Sequence, residues 1–235
     1  MNIEIKNGYK EYNGKKVLEV GELSFKEGFV YAVLGLNGSG KTTLLQCSSG
    51  LEAFTEGEVF YGGSSDFNSV RKNISIMTQK PYLFNTSTLN NIRAGLKFRK
   101  YSEKAMAEKI ADYLPYFEIE EILHKNAKKL SGGEQAKVAL LRTAVMETDI
   151  TFLDEPTASM DIESTIRAEM LIKDMASGKR TVIIVTHDMY QAERIADYVL
   201  FLDKGKIIES GEMKKVFNYP EHNLVKQILK RGVEL

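Results

Sequence analysis

Phe29-Val30-Tyr31-Ala32-Val33-Leu34-Gly35-Leu36-Asn37-Gly38-Ser39-Gly40-Lys41-Thr42-Thr43 is the stretch that decides the fold. Its first six residues form an unbroken apolar run, the pattern of a strand buried on both faces. Glycines at 35, 38 and 40 end the run, and a helix is predicted from Lys41 to about Ser49. Gly35 to Thr42 fits G-x-x-x-x-G-K-[ST] with a strand before it and a helix after it, the arrangement of a phosphate-binding loop. The glycines let backbone N–H groups curl around phosphate oxygens, and the helix start adds partial positive charge. Lys41 is placed to reach the β- and γ-phosphates of a nucleotide, and Thr42 to offer its hydroxyl to Mg²⁺. Asn37, Ser39 and Thr43 complete the cradle. The bland reading, a Gly-rich turn joining two elements, is opposed by both flanks.

Downstream, Ile150-Thr151-Phe152-Leu153-Asp154-Glu155 is a mostly apolar strand that ends in two adjacent acids. Acids often follow strands merely as loop residues. Beside a phosphate-binding loop they have a second reading: Asp154 holds Mg²⁺ through water, and Glu155 polarises an attacking water.

The rest of the chain suits this centre. Its 235 residues make one large domain, or one with an insertion. Hydrophobic residues are 43% and charged residues 27%, as in ordinary globular proteins. Lys+Arg and Asp+Glu are both 32, a balance that argues against a broadly basic nucleic-acid binder. The lone cysteine, Cys47, allows no internal disulfide, and no His/Cys spacing suggests a structural metal. The first residues alternate apolar and charged and do not resemble a signal peptide. Val182-Ile183-Ile184-Val185 and similar runs are too short to span a bilayer, so work at a membrane needs spans from another chain.

Alternating Ile3 and Ile5, then Val17-Leu18-Glu19-Val20, read as β-structure, with further short strands near 58–61 and 74–77. From 87 to 129 the pattern turns helical, with Ala105, Ile110 and Leu114 at helical spacings, and reads as an inserted helical subdomain. Helices are predicted at 138–145, 164–175 and 192–196, and strands at 150–153, 181–185 and 198–202. Strands alternating with helices indicate parallel βαβ units. The tail from 212 to 230 reads as helical with a break near Pro220.

Leu130-Ser131-Gly132-Gly133-Glu134 decides among nucleotide-binding families. A serine and two glycines ahead of an apolar helix make an anion-binding helix start. With the loop at 35–42 and the acids at 154–155, this segment resembles the signature of ATP-binding cassette (ABC) ATPases. The resemblance covers nearly the whole chain. It implies an α/β fold: a P-loop NTPase core with a mostly parallel sheet, an N-terminal antiparallel β-subdomain and an inserted helical subdomain. The core would take residues 1–86 and 130–210, the helical subdomain 87–129 and a helical tail 211–235. Residue by residue it implies that Gln79 is the Q-loop glutamine touching Mg²⁺ and the water, that Asp161 is the D-loop aspartate, that His187 is the switch histidine at the γ-phosphate, and that Tyr12 stacks on adenine. A tyrosine near a hairpin is usually packing, and a histidine at a strand-to-helix junction can be a mere cap, so both carry plain alternatives. Ser131, Gly132, Gly133 and Glu134 would bind the ATP of a partner subunit, making a dimer, expected to be a homodimer, the working unit. ATP and Mg²⁺ are the implied cofactors. Ala136-Lys137 and Met160 depart from the usual residues of the signature and D-loop.

Three roles compete: the ATPase of a membrane transporter, an ATPase acting on nucleic acid or ribosomes, and a non-transport switch. One cassette without coiled-coil or zinc insertions favours the first. Met77-Thr78-Gln79-Lys80-Pro81-Tyr82-Leu83-Phe84 and Thr186-His187-Asp188-Met189-Tyr190-Gln191-Ala192 resemble the tungstate, molybdate and phosphate importer branch, the latter the tungstate type. The expected setting is the cytoplasmic face of the cell membrane, with integral permease subunits, an extracytoplasmic substrate-binding protein and no nucleic acid. Phosphate and polar amino acids are the rival substrates. The sequence as far as Leu235 is read as lacking the regulatory domain that sugar and many molybdate ATPases append, an expectation in keeping with the tungstate type. The apolar cluster Tyr82, Leu83 and Phe84, near Leu89 and Ile92, is expected to receive a short helix of the membrane partner; the alternative is that it seals the insert against the core.

Overall fold

The computed structural model describes residues 1–231. In chain order the elements are β1 (Ile3–Tyr12), β2 (Lys15–Phe25), β3 (Val30–Gly35), α1 (Lys41–Ser48), β4 (Glu56–Tyr61), α2 (Phe67–Val70), β5 (Ile74–Met77), α3 (Thr88–Ile92), α4 (Ala94–Phe98) and α5 (Glu103–Tyr113). They continue as α6 (Gly132–Ala144), β6 (Ile150–Asp154), α7 (Ile162–Met175), β7 (Thr181–Val185), α8 (Met189–Ile195), β8 (Tyr198–Asp203), β9 (Lys206–Glu212), α9 (Met213–Asn218) and α10 (Asn223–Arg231). The expected tail therefore holds two helices broken at 219–222, and its last four residues lie outside the described ones.

The main sheet has the order β5-β6-β7-β3-β8-β9, parallel except for β9 against β8. A second sheet, β2-β1-β4, is antiparallel throughout. This is the α/β architecture that the sequence implied. β3 sits between β7 and β8, and its apolar run is explained by burial on both sides. Val30, Ala32 and Leu34 enter the core beneath α6, α7 and α8. Tyr31 and Val33 enter the core shared with α1 and the antiparallel sheet. Full burial of Val30, Val33 and Leu34 contributes about 1.5–3 kcal/mol each relative to exposure.

Three expectations are corrected. The stretch 114–129 is not α-helical: it is a chain of short 3₁₀ turns at 114–116, 120–122 and 127–129. Pro115 cannot continue α5, and Phe117, Ile119 and Ile122 are pinned into the core one at a time. The helix predicted at 138–145 begins at Gly132, because Ser131 and Glu134 form a reciprocal capping box. The helix at 192–196 begins at Met189, with the Asp188 side chain as its N-cap. Strand β9 was not anticipated. Its signal was Lys204-Gly205, both at positive φ, the two-residue turn of a hairpin.

No helix among the described residues is long and apolar enough to cross a membrane. The parallel strands end together at Gly35, Met77, Asp154 and Val185, and the loops that leave these ends meet in one crevice. That is where open α/β sheets take their ligands.

Candidate functional site

The crevice is a cavity of about 220 Å³. Asn37, Gly38, Gly40, Lys41, Thr42, Thr43, Gln79, Asp154 and Glu155 all line it, so residues separated by more than a hundred positions share one site. Val17 of β2 also forms part of the wall. Nothing in its sequence context, an ordinary apolar strand position, singled it out.

The loop after β3 is shaped by its first glycine. Gly35 has φ +148°, and a Cβ there would lie 2.2 Å from the Leu202 carbonyl oxygen, so no other residue fits. The loop closes over the Lys41 ammonium, which donates to the carbonyl oxygens of Gly35 at 2.6 Å and Leu36 at 3.1 Å. Burial lowers the Lys41 pKa, while Glu155 and Asp154 pull the other way. An ammonium hydrogen-bonded to two carbonyl oxygens, at the floor of a polar cavity, is poised to exchange them for phosphate oxygens. Ser39 is buried, and its hydroxyl finds no hydrogen-bond partner among the described residues.

Asp154 is buried, and that burial raises its pKa. Thr42 is its neighbour, with Oγ1 at 3.5 Å from Asp154 Oδ1. Among the described residues no group of three His, Cys, Asp or Glu could hold a metal alone. A hydroxyl and a carboxylate facing one polar cavity instead suit Mg²⁺, which keeps several waters and needs further oxygens from substrate phosphates.

Glu155 follows β6 in the left-handed region, at φ +49°, uncommon for a residue with a side chain. Its N–H donates to the Val185 carbonyl, which ties the turn to β7. The turn brings its carboxylate to His187, Nδ1 to Oε2 2.8 Å. A carboxylate only accepts, so Nδ1 carries the hydrogen of this contact, which leaves Nε2 for a second partner. Gln79 sits past the end of β5, exposed at the cavity rim.

The remaining predicted residues lie apart from the cavity walls. Tyr12 is at the tip of the β1–β2 hairpin with 40% of its surface exposed. Ser131 is the N-cap of α6: its backbone N–H donates to Glu134 at 2.7 Å, and its hydroxyl accepts from the Glu134 N–H at 3.3 Å. The Ser131 backbone bond holds the Glu134 carboxyl below its usual pKa. Gly132 is exposed, and a Cβ on Gly133 would come 2.9 Å from the Ser159 carbonyl, so the α6 start packs directly on the 156–161 loop. Asp161 ends that loop and caps α7, accepting from the Ser164 N–H and hydroxyl at 2.8 and 2.9 Å. Met160 packs partly buried against the core.

A second, shallower groove lies across the fold, lined among others by Tyr82, Phe84, Phe98, Arg99, Arg142 and Met146. Here the expected apolar cluster divides. Tyr82 is 66% and Phe84 41% exposed, whereas Leu83 and Ile92 are buried in the core. Leu83 alternates inward because Phe84 is held outward by its own backbone, both N–H and C=O bonding the buried Asn91 side chain.

Three comparisons bear on this geometry. A family model described as ABC transporter matches residues 18–158. The chain is 39% identical over 211 residues to the tungstate uptake system ATP-binding protein of Peptoclostridium acidaminophilum, covering 89% of this chain and 98% of that one. It is 33% identical to a phosphate import ATP-binding protein of Aliivibrio fischeri, covering 94% and 86%. Among solved structures, a dimeric ATP-binding cassette in a post-hydrolysis state with ADP and phosphate superposes with a TM-score of 0.82, at 26% identity over 90% of this chain and 98% of that one.

Proposed function

This chain belongs to the ABC transporter ATPases, which hydrolyse ATP to drive transport, and from that premise we propose that it powers an importer of an oxyanion, tungstate in the first place. The observation that carries the ATPase part is the single cavity that gathers Lys41, Thr42, Asp154 and Glu155 at the carboxyl ends of the sheet.

Each residue then has a task. Lys41 gives up its carbonyl partners and pairs with the β- and γ-phosphates, and the backbone N–H groups of 38–42 hold the same oxygens. Tyr12 stacks on the adenine. Mg²⁺, when bound, neutralises phosphate charge; Thr42 and Asp154 would hold it, with Gln79 at its edge. Glu155 accepts the proton of the attacking water, and His187, oriented by its Nδ1–H bond to Glu155, turns Nε2 toward the γ-phosphate region. None of Ser131, Gly132, Gly133 or Glu134 lines the cavity of their own chain. In our reading they serve the ATP of a second copy, as the dimeric relative suggests, with Asp161 of the adjoining loop at the same contact. The helix start supplies N–H groups and partial positive charge to that γ-phosphate.

The groove at Tyr82 and Phe84 is the surface we assign to the permease. The 87–129 segment forms one wall of it, and the two sites are joined by the short stretch from Gln79 to Phe84. The substrate assignment rests on the tungstate relative, and phosphate is the alternative because a phosphate relative also covers nearly the whole chain. Reconstitution with the membrane subunits and their binding protein in vesicles tests it. Tungstate should stimulate ATP hydrolysis; stimulation by phosphate or glutamine alone would replace the assignment.

A further inference from the structure

Beside the nucleotide cavity stands a cluster in which every member is tied to Tyr12. The Tyr12 hydroxyl donates to the Glu52 carboxylate. The Lys10 ammonium pairs with the same Glu52 oxygen at 3.3 Å, donates to the Ala53 carbonyl at 2.8 Å, and stands 4.9 Å from the centre of the Tyr12 ring. The Glu52 bond is the largest cause of a Tyr12 pKa pushed up to about 12, and it also draws the Glu52 carboxyl below its usual range.

The placement of Glu52 gives the cluster a purpose. Glu52 follows α1, the helix that begins with Lys41, and its backbone N–H donates back to the Gln46 carbonyl of that helix. Tyr12 lies on another element, at a hairpin tip just past an irregularity in the β1–β2 pairing between Lys10 and Glu11. An exposed ring at a hairpin end explores many positions unless something fixes it. Here an ion pair and a hydrogen bond fix it to the helix of the phosphate loop, while a cation takes one of its faces.

We propose that Glu52, with Lys10, is a positioning residue for nucleotide binding: it holds the Tyr12 ring at a set distance from the phosphate cradle and leaves a single face for the base. This rests on the nucleotide-site reading above. Glu52 does not line the nucleotide cavity and bonds the Tyr12 ring instead, so its effect is confined to ligands that carry a base. Stacking of one base on an aromatic ring contributes roughly five- to 150-fold in affinity, and loss of the ring's placement removes part of it, roughly a fivefold loss of affinity.

Isothermal titration of the full chain with ATP and with inorganic triphosphate, both with Mg²⁺, separates the possibilities. Glu52→Ala should weaken ATP about fivefold and leave triphosphate unchanged. Tyr12→Phe, which keeps the ring but loses the hydroxyl, should reproduce that loss, and the double variant should be no weaker than either single one. Glu52→Gln, whose amide oxygen still accepts from the hydroxyl, should restore most of the affinity. In steady-state assays Glu52→Ala should raise KM with little change in kcat. Equal loss of ATP and triphosphate, unchanged ATP affinity, or additive effects in the double variant would each overturn the proposal. Lys41→Ala is the control: if it leaves both ligands bound, the nucleotide site itself is misplaced and the proposal falls with it. If Lys41→Ala abolishes binding but Glu52→Ala does nothing, only the proposal falls.

Discussion

Replacing Glu155 by Gln changes one oxygen for an amide and should stop the chemistry without disturbing the fold. The backbone of this residue is held by its N–H bond to Val185 and by a left-handed φ that both residues adopt at equal cost. The lost interaction is the 2.8 Å contact with His187, which the amide can partly replace, so stability should fall by under about 1 kcal/mol. The rate effect is far larger. An amide cannot take a proton from water, and general-base assistance contributes about 10²–10⁴ in rate, or about 2.7–5.4 kcal/mol of barrier. ATP affinity should hold or rise, because the carboxylate removed lines the same cavity as Lys41, where the proposed nucleotide's phosphates would sit. Phosphate release under saturating ATP measures the rate, nucleotide titration the affinity, and size exclusion the accumulation of an ATP-bound dimer. Turnover within threefold of wild type would show that Glu155 is not the base; loss of ATP binding together with turnover would show that it supports the site rather than the reaction.

Ser131→Arg removes an N-cap worth about 1 kcal/mol, so the chain should still fold and bind ATP while its ATPase activity disappears; mixed with a Lys41→Ala subunit it should regain partial activity, and an Ser131→Arg protein with normal turnover would refute the shared site. Asp154→Asn should stabilise the nucleotide-free protein at neutral pH, because burial raises the carboxyl pKa and its ionised form opposes folding there. The stabilisation should shrink as pH falls through the raised value and vanish below the ordinary 3.8, where both states are protonated; thermal unfolding from pH 7 down past that value checks this, and a destabilised variant at pH 7 would contradict it. Tyr82→Ser with Phe84→Ser should leave the isolated subunit folded and ATP-binding, since both rings are substantially exposed, but abolish co-purification with the permease; melting of the soluble chain would mean that the rings belong to the core.

The centre of this protein was legible because its constraints are local. Gly35 to Thr42 spells a strand, a loop and a helix start in consecutive residues, and β6 announces itself as an apolar run ending in acids. The α6 boundary was only partly legible: Ser131-Gly132-Gly133 marked a helix start, but apolar periodicity begins only at Val138, because the capping box that opens the helix is polar. Residues 114–129 failed for a different reason: their apolar spacing reflects anchoring to a distant core, which overrides local preference. Val17 and the Lys10–Glu52 pair were invisible for a third reason: hairpin geometry brings Val17 to the cavity, and the pair is a contact over forty positions. The division of Leu83 from its neighbours needed the Asn91 side chain, which no spacing rule connects to that loop.

The close approach of Gly133 to Ser159 bears on timing. The loop that begins at Glu155 and ends at Asp161 is pressed against the start of α6, with no room for even a methyl group between them. If α6 reaches toward the partner's nucleotide while Glu155 serves its own, a displacement on one side is transmitted at once to the other. Each subunit's readiness to fire is then clocked by the occupancy of its neighbour's pocket. A Gly133→Ala variant that forced the two segments apart would loosen that clockwork, and the pair of engines would lose step before either lost its fuel.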